Sequence, residues 1–465
     1  MGCLSLIVGN EKSEMSTAKN GETSWHGWDT SRKVLIVGGG RTGEGVAKLL
    51  TREGLTYEIY DEKGELPSID SRFGLAIVSP GWRPTHRIFA ELSEKEIPYV
   101  GEVDYAWSKR PEGQKWLAVT GTNGKTTTVQ MLAAMLEAGG VSSVDCGNVG
   151  LPISEAVMGD FAYLAIELSS FQIFWSNEAH FDSVAILNIA EDHIDWHGTF
   201  DAYAEAKMKL LNHCDIAMLN LHDPQIALRS HAWQGRKIFF SLDTPQAGEL
   251  GLVEDLIIDR AFTSNPQEAE ELFQLSDVSP TVPHNVSNAM AAAGIARSVG
   301  VRTGDIKKAL AHFTVDSHRL ELVVKHDGVS WVDDSKATNP HAASASLRSY
   351  TSIIWIAGGL AKGAPMDQLI HATHSRIKAA LLIGQDRSLI KESLQKHAPH
   401  IPVVEFDSTD GSREMMERIV TTAKGIAETG DAVLLAPACA SMDQFESYKE
   451  RGELFAAAVR KLVHP

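Results

Sequence analysis

Trp116-Leu-Ala-Val-Thr-Gly-Thr-Asn-Gly-Lys-Thr-Thr-Thr128 decides how the chain is read. The apolar residues 116–119 predict a short buried strand. Gly121 to Gly124 predict a turn. Val129, Leu132, Ala133 and Leu136 then fall at i, i+3, i+4 and i+7, the spacing of one helix face. Gly139-Gly140 predicts where that helix stops. A strand that runs through a glycine turn into a helix aims backbone N–H groups and the positive end of the helix dipole at one spot. That spot is an anion site. Lys125 is placed to neutralise terminal phosphate charge and the Thr126 hydroxyl to ligate Mg²⁺. Val119 stands where the common phosphate-loop pattern has a glycine, so the loop is a variant. A plain glycine turn with a solvated lysine is the alternative. Lys-Thr-Thr between strand and helix favours the phosphate site.

The 465 residues are too many for one core, and about three domains are expected. With 43% hydrophobic and 22% charged residues the composition is that of a soluble globular protein. The net charge of −17 disfavours nucleic acid or an anionic membrane as partner. No apolar run is long enough to span a bilayer, so stable membrane insertion is not expected. Cys3, Cys146, Cys214 and Cys439 lack metal-ligand spacing, which suits a reducing compartment without disulfides.

Residues 1–30 read as a poorly ordered polar tail without a secretory signal or a myristoylation pattern, and Met15 is a possible start. Order is expected from the strand over 33–37. It opens into Gly38-Gly-Gly-Arg-Thr-Gly43, a G-x-G-x-x-G fingerprint, with a second strand ending at Asp61. A nicotinamide cofactor and a structural glycine turn are both open on these residues. Ala76-Ile-Val-Ser-Pro-Gly81 is a further strand end, and Pro111-Glu-Gly113 reads as a linker.

Beyond the first loop, strands and helices alternate. A strand over 161–166 ends in Glu167-Leu-Ser-Ser170, and one over 184–189 ends in Glu191-Asp-His-Ile-Asp195. Ligands gather at the carboxyl ends of such strands, so Glu167 and His193 share an edge with the glycine turn. Thr126 and Glu167 suffice for one Mg²⁺, and His193 is a candidate for a second. Towards the C-terminus, Asp333-Asp-Ser-Lys-Ala-Thr-Asn-Pro340 follows an apolar strand. Further buried strands are expected over 352–357, 379–383 and 432–435. The last leads into Ala436-Pro-Ala-Cys-Ala-Ser-Met-Asp-Gln-Phe445, a turn opening a helix and a natural carboxylate site. The fold class is α/β throughout.

T-G-T-N-G-K-T-T, E-L-S-S-F-Q, E-D-H-x-D, H-N-x-x-N-A, H-R-L-E, D-D-S-K-A-T-N and P-A-C-A-S-M-D-Q-F occur in order over nearly the whole chain after the tail. Together they resemble the Mur ligase family. The resemblance implies three domains: a Rossmann-like substrate domain over 31–112, a central phosphate-loop domain over 113–316, and a Rossmann-like C-terminal domain over 317–465. It implies a cytoplasmic, monomeric ATP-dependent amide ligase of peptidoglycan precursor synthesis. The last two motifs point to addition of D-glutamate to UDP-N-acetylmuramoyl-L-alanine through an acyl phosphate.

Residue roles follow from the same resemblance. Gly121, Thr122, Asn123, Gly124, Lys125, Thr126 and Thr127 would hold the ATP phosphates. Asn288 would face adenine, Arg319 the phosphates and Asp334 the ribose. Two Mg²⁺ ions are implied, with Thr126 and Glu167 on one and His193 on the other. Arg41, Thr42, Ser79 and Gly81 would bind UDP, which removes the need for a nicotinamide. Asn148 would touch the sugar-peptide. Lys336, Thr338, Lys362, Ser441 and Tyr448 would bind D-glutamate. Tyr448 replaces a common phenylalanine, and Asp61-Glu-Lys63 departs from the family's usual Thr-Arg after the acid. A ligase for another amino acid, a nicotinamide-dependent dehydrogenase and a phosphate-loop switch are the rival readings.

Lys207 interrupts the apolar stripe formed by Phe200, Tyr203, Ala204, Leu210 and Leu211. Periodicity alone favours a snorkelling lysine or an ion pair with an acid such as Glu167. The resemblance favours a carbamylated lysine that helps hold the second Mg²⁺ beside His193.

Overall fold

Three sheets follow one another along the chain in the computed structural model, which describes residues 25–61, 68–265, 267–314, 316–407 and 411–463. The fold is mixed α/β, as the alternation of periods predicts. The first sheet has four parallel strands in the order Tyr57–Tyr60, Lys33–Val37, Phe73–Val78, Tyr99–Gly101. Strand order reverses beside Lys33–Val37, so a crevice opens at its carboxyl end, where the glycine loop begins.

The second sheet has nine strands. Seven consecutive parallel ones run from Leu250–Val253 and Arg236–Phe240 through Cys214–Asn220, Phe181–Ile186, Lys115–Thr120 and Tyr163–Glu167 to the edge strand Ser143–Gly147. Trp116, Leu117, Ala118 and Val119 are all buried, because helices cover both faces of a parallel sheet and every side chain must be apolar. The helix Lys125–Ala138 packs Leu132, Met135 and Leu136 against Leu117 and Val119. Each such fully buried side chain contributes about 1.5–3 kcal/mol relative to exposure. The helix stops at the expected glycines: Gly139 is its C-cap and Gly140 takes a φ of 75°.

The third sheet has six strands in the order Glu321–His326, Val329–Asp333, Ala432–Leu435, Ile353–Gly358, Ile377–Ile383, Val403–Glu405. Only the first pair is antiparallel. The strand Val329–Asp333 delivers the Asp333-to-Pro340 segment to the sheet's carboxyl edge.

Three expectations need correction. Structure begins before residue 31: Trp25 is buried, and its indole N–H donates to Glu178 Oε1 at 2.8 Å. The tail expected over 1–30 is therefore anchored at its end, because a large aromatic ring found a pocket beside Tyr105. Residues 1–24, including Met15, and Glu62 and Lys63 lie outside the described residues. Second, the helix over 200–211 is α-helical only for Phe200–Met208 and tightens to a 3₁₀ turn over Lys209–His213. Third, the 436–445 turn does not open a helix directly. The next helix is Tyr448–Val463, so the segment reaches further across the sheet edge.

Candidate active site

Gly124 sets the geometry of the central loop. Its φ of 87° is left-handed, and an added Cβ would lie 2.4 Å from Asn288 Oδ1. Only glycine fits there. It stands as N-cap of the helix without a side-chain cap, which leaves the first-turn N–H groups free for an anion. Asn188 braces the loop from the next strand end: its Oδ1 accepts from Asn123 N at 2.8 Å, and its amide donates to Asn123 O at 3.0 Å.

A cavity of about 290 Å³ opens above this loop. Thr122, Asn123, Gly124, Lys125, Thr126 and Thr127 line it from the second sheet, with Asn148, Glu167 and Asn288. Arg319, Asp334, Lys336 and Thr338 line it from the third sheet. Residues more than two hundred positions apart thus face one space. None of Lys125, Arg319 and Lys336 makes an ion pair with a described residue. Lys125 Nζ donates to the carbonyls of its own loop, Gly121 O and Thr122 O, both at 3.0 Å. Lost hydration lowers its pKa, opposed by Glu167 and Asp192. Burial raises Asp334 to about 6, although Ser346 Oγ and Leu320 N donate to its carboxylate. Glu167 is buried, and Asn148 Nδ2 donates to its Oε1 at 2.9 Å.

Lys207 is fully buried, as its place in the apolar stripe requires, yet it has no ion-pair partner among the described residues. The ion pair with Glu167 is absent. Lys207 Nζ donates to Gly121 O at 2.9 Å, the same carbonyl that receives Lys125. It also sits 4.8 Å from the centre of the Tyr203 ring. Burial first, and Lys125 second, push its pKa well down. His193 does not line the cavity; Asp192 does. The His193 ring lies 4.7 Å from Phe171, at a left-handed residue (φ 54°) that starts the short helix Ile194–His197. Burial lowers its pKa, and Lys362, Lys207 and Lys125 act in the same direction. Asp192 opposes this, with its Oδ2 3.8 Å from His193 Nε2; a neutral imidazole is a ligand donor rather than a cation.

The remaining third-sheet residues lie along the same edge. Lys336 Nζ stands 3.9 Å over the Tyr448 ring, a cation–π contact. Ser441 is buried and Lys362 is exposed at a φ of 52°. The first-sheet glycine loop makes a separate cavity of about 520 Å³, lined by Arg41, Thr42, Ser79, Gly81, Asp61 and Trp82 among others. An added Cβ at Gly43 would lie 1.9 Å from Gly38 O, so the helix could not close on the strand with any other residue there.

Sequence reasoning missed Asn188, Asp192, His284 and His341, which also line the central cavity. It missed Arg451 as well. This arginine is fully buried and donates to Ser335 O, Ser335 Oγ, Gly358 O and Cys439 O, tying three loops together at the third sheet's edge. Arg451, Phe455 and Val459 are spaced i, i+4, i+8, so the periodicity test that singled out Lys207 also finds Arg451.

Comparison with known proteins agrees with this geometry. Residues 119–296 match the Mur ligase middle domain, and residues 318–439 match the Mur ligase glutamate ligase domain. The chain is 45% identical over 461 residues to the UDP-N-acetylmuramoylalanine–D-glutamate ligase of Thermobifida fusca, covering 93% of this chain and 99% of that one. It is 48% identical over 400 residues to the enzyme of the same name from Streptomyces coelicolor, covering 83% and 84%. Among solved structures, a pseudomurein peptide ligase type C from Methanothermus fervidus aligns with a TM-score of 0.60 at 16% identity, covering 93% of this chain and all of that one. The UDP-N-acetylmuramate–alanine ligase of Thermotoga maritima aligns with a TM-score of 0.56 at 18% identity, covering 92% and 99%. With two domain matches and 45% identity along almost its full length, the chain belongs to the Mur ligase family.

Proposed function

We propose that this chain joins D-glutamate to UDP-N-acetylmuramoyl-L-alanine at the expense of ATP, in the cytoplasmic synthesis of peptidoglycan precursors. The carrying observation is the single cavity into which the second sheet sends Lys125 and Glu167 while the third sends Arg319, Asp334 and Lys336. The family and the relatives' names support the same reaction.

The chemical obstacle is charge. One carboxylate oxygen of the L-alanyl group must attack the anionic γ-phosphorus, with ADP leaving. The nitrogen of D-glutamate then attacks the acyl carbon. Phosphate departs with one former carboxylate oxygen, and the amine loses a proton as the amide forms. Unpaired cations placed in advance lower both barriers. Lys125 and Arg319 are such cations, and Gly124, Thr126 and Thr127 offer N–H groups to the phosphates. Asn288 faces adenine and Asp334 the ribose. Lys336, Thr338, Lys362, Ser441 and Tyr448 receive D-glutamate. Arg41, Thr42, Ser79 and Gly81 receive UDP, and Asn148 the sugar-peptide.

The donors fit Mg²⁺. Thr126 and Glu167 would hold one ion, and His193 with modified Lys207 a second; the ions supply positive charge to the phosphate oxygens. Lys207 favours modification because it is dry, lacks a counter-ion and shares a carbonyl with another lysine. Its neutral nitrogen would attack CO₂ and lose a proton, giving an anionic carbamate. The reading also divides the chain into domains over 31–112, 113–316 and 317–465, working as a monomer. Among the described residues no helix is long and apolar enough to cross a membrane.

An amino-acid panel tests the reading. ATP-dependent phosphate release with UDP-N-acetylmuramoyl-L-alanine should require D-glutamate. Equal or greater turnover with L-alanine, lysine or diaminopimelate would refute it.

A further inference from the structure

Asn123 belongs to the phosphate loop, but its side chain turns away from it. Asn123 Nδ2 donates to Asn339 Oδ1 at 3.3 Å and lies 2.9 Å from His341 Nδ1. In return Asn339 Nδ2 donates to Asn123 Oδ1 at 3.1 Å. Two carboxamides thus pair in both directions across the cleft between the second and third sheets. Asn339 is buried, so this pair is shielded from competing water more than a surface contact is.

Both ends of the pair are tied to binding residues. The Asn123 backbone is fixed by Asn188, and Gly124 and Lys125 follow it directly. Asn339 directly follows Thr338 and stands three residues after Lys336. Asn339 Oδ1 also caps the helix Pro340–Leu347 by accepting from Ala342 N at 2.9 Å. That helix carries Ser346, which donates to Asp334. One amide pair therefore links the phosphate loop to the segment that carries Lys336 and Thr338.

The geometry points to Asn339 as a positioning residue that makes the D-glutamate site depend on the state of the phosphate loop. It touches no reacting atom in this account. Nucleotide on the loop favours the state in which Asn123 and Asn339 are paired, and the pair holds the 336–338 segment for the amino acid. Linkage requires the effect to run both ways. The inference rests on the ligase reading above.

The test is a binding cycle on the full chain. D-Glutamate affinity is measured by calorimetry with UDP-N-acetylmuramoyl-L-alanine present, with and without a non-hydrolysable ATP analogue. The wild-type chain should bind D-glutamate more tightly with the analogue. Asn339→Ser keeps a helix cap and neutrality but is too short to pair both ways. It should lose about tenfold of that tightening, the scale of one net hydrogen-bond interaction. Asn123→Ala, which leaves the cap intact, should lose the same factor, so the cycle does not depend on Asn339→Ser folding. The double variant should be no worse than either single one, because one interaction cannot be lost twice. Tightening of wild-type size in either single variant, or losses that multiply in the double variant, would overturn the inference. Absence of D-glutamate binding to the wild-type chain in every state would overturn the ligase reading, and this inference with it.

Discussion

Two glycine loops open two helices in this chain, and they are built for different work. Gly38 to Gly43 follows a buried strand and leads into the helix Arg41–Arg52. Gly121 to Gly124 follows another and leads into Lys125–Ala138. Both leave a helix N-terminus without a side-chain cap, and both need glycine on steric grounds. The surroundings differ. The first loop lies in a cavity lined only by residues 38–86, and its one nearby acid, Asp61, accepts from Gly39 N at 3.1 Å. The second has two lysines on one carbonyl, a buried glutamate, and two further cations brought from the third sheet. A glycine loop alone makes a place for phosphate. Unpaired charges delivered from the third sheet suit the second loop to the proposed phosphoryl transfer.

Substitution at the second loop should therefore strike the rate. Lys125→Ala is expected to lower kcat by about 10²-fold or more, the scale of losing one preorganised electrostatic group. Near-wild-type turnover in a folded variant would remove the loop from the chemistry and level the two sites. Lys207→Ala should lose most activity, and acetate should restore part of it by standing in for the carbamate. The modification can be read without turnover, as a mass gain of CO₂ on the wild-type chain under bicarbonate that Lys207→Ala lacks. A bare amine in the CO₂-equilibrated, active enzyme would remove the carbamate from the account.

Substitution at the first loop should strike binding. Arg41→Ala is expected to raise KM for the UDP substrate about tenfold, the scale of a lost charge-assisted hydrogen bond. Its kcat should hold. A fall in kcat with unchanged KM would mean that the first loop takes part in the chemistry.

The smallest expected effect concerns Asp334 and stability. Burial lifts its folded pKa from an ordinary 3.8 to about 6. Between those values the folded chain holds a proton that the unfolded chain releases. The stabilisation is complete below about pH 3.8 and is lost as pH rises through about 6. Thermal melting should show the wild-type chain gaining on Asp334→Asn as pH is lowered from 7 to 5. A difference independent of pH would show that Asp334 is already ionised over this range when folded.

The sequence made the second loop legible because its signals are local: strand, glycine turn, lysine and helix face within two dozen residues. Lys207 was legible for the opposite reason, a charge at a position whose period demands an apolar side chain. Arg319 and Asp334 carry no such local signal. They lie around strand ends, and their meeting with Lys125 is a tertiary contact that only motif resemblance anticipated. Asn339 reads locally as a helix cap before proline, which hides its second partner across the cleft. Trp25 lies inside a polar stretch, and one aromatic residue has no period to mark it as anchored.

In the proposed reaction the cleft between the second and third sheets carries a phosphoryl transfer to the substrate's own carboxylate. The most direct measurement follows oxygen. With UDP-N-acetylmuramoyl-L-alanine labelled with ¹⁸O in the alanyl carboxylate, one labelled oxygen should appear in the phosphate released when D-glutamate is joined. Amide formation with unlabelled phosphate would contradict the acyl phosphate, and with it the role given to the second loop.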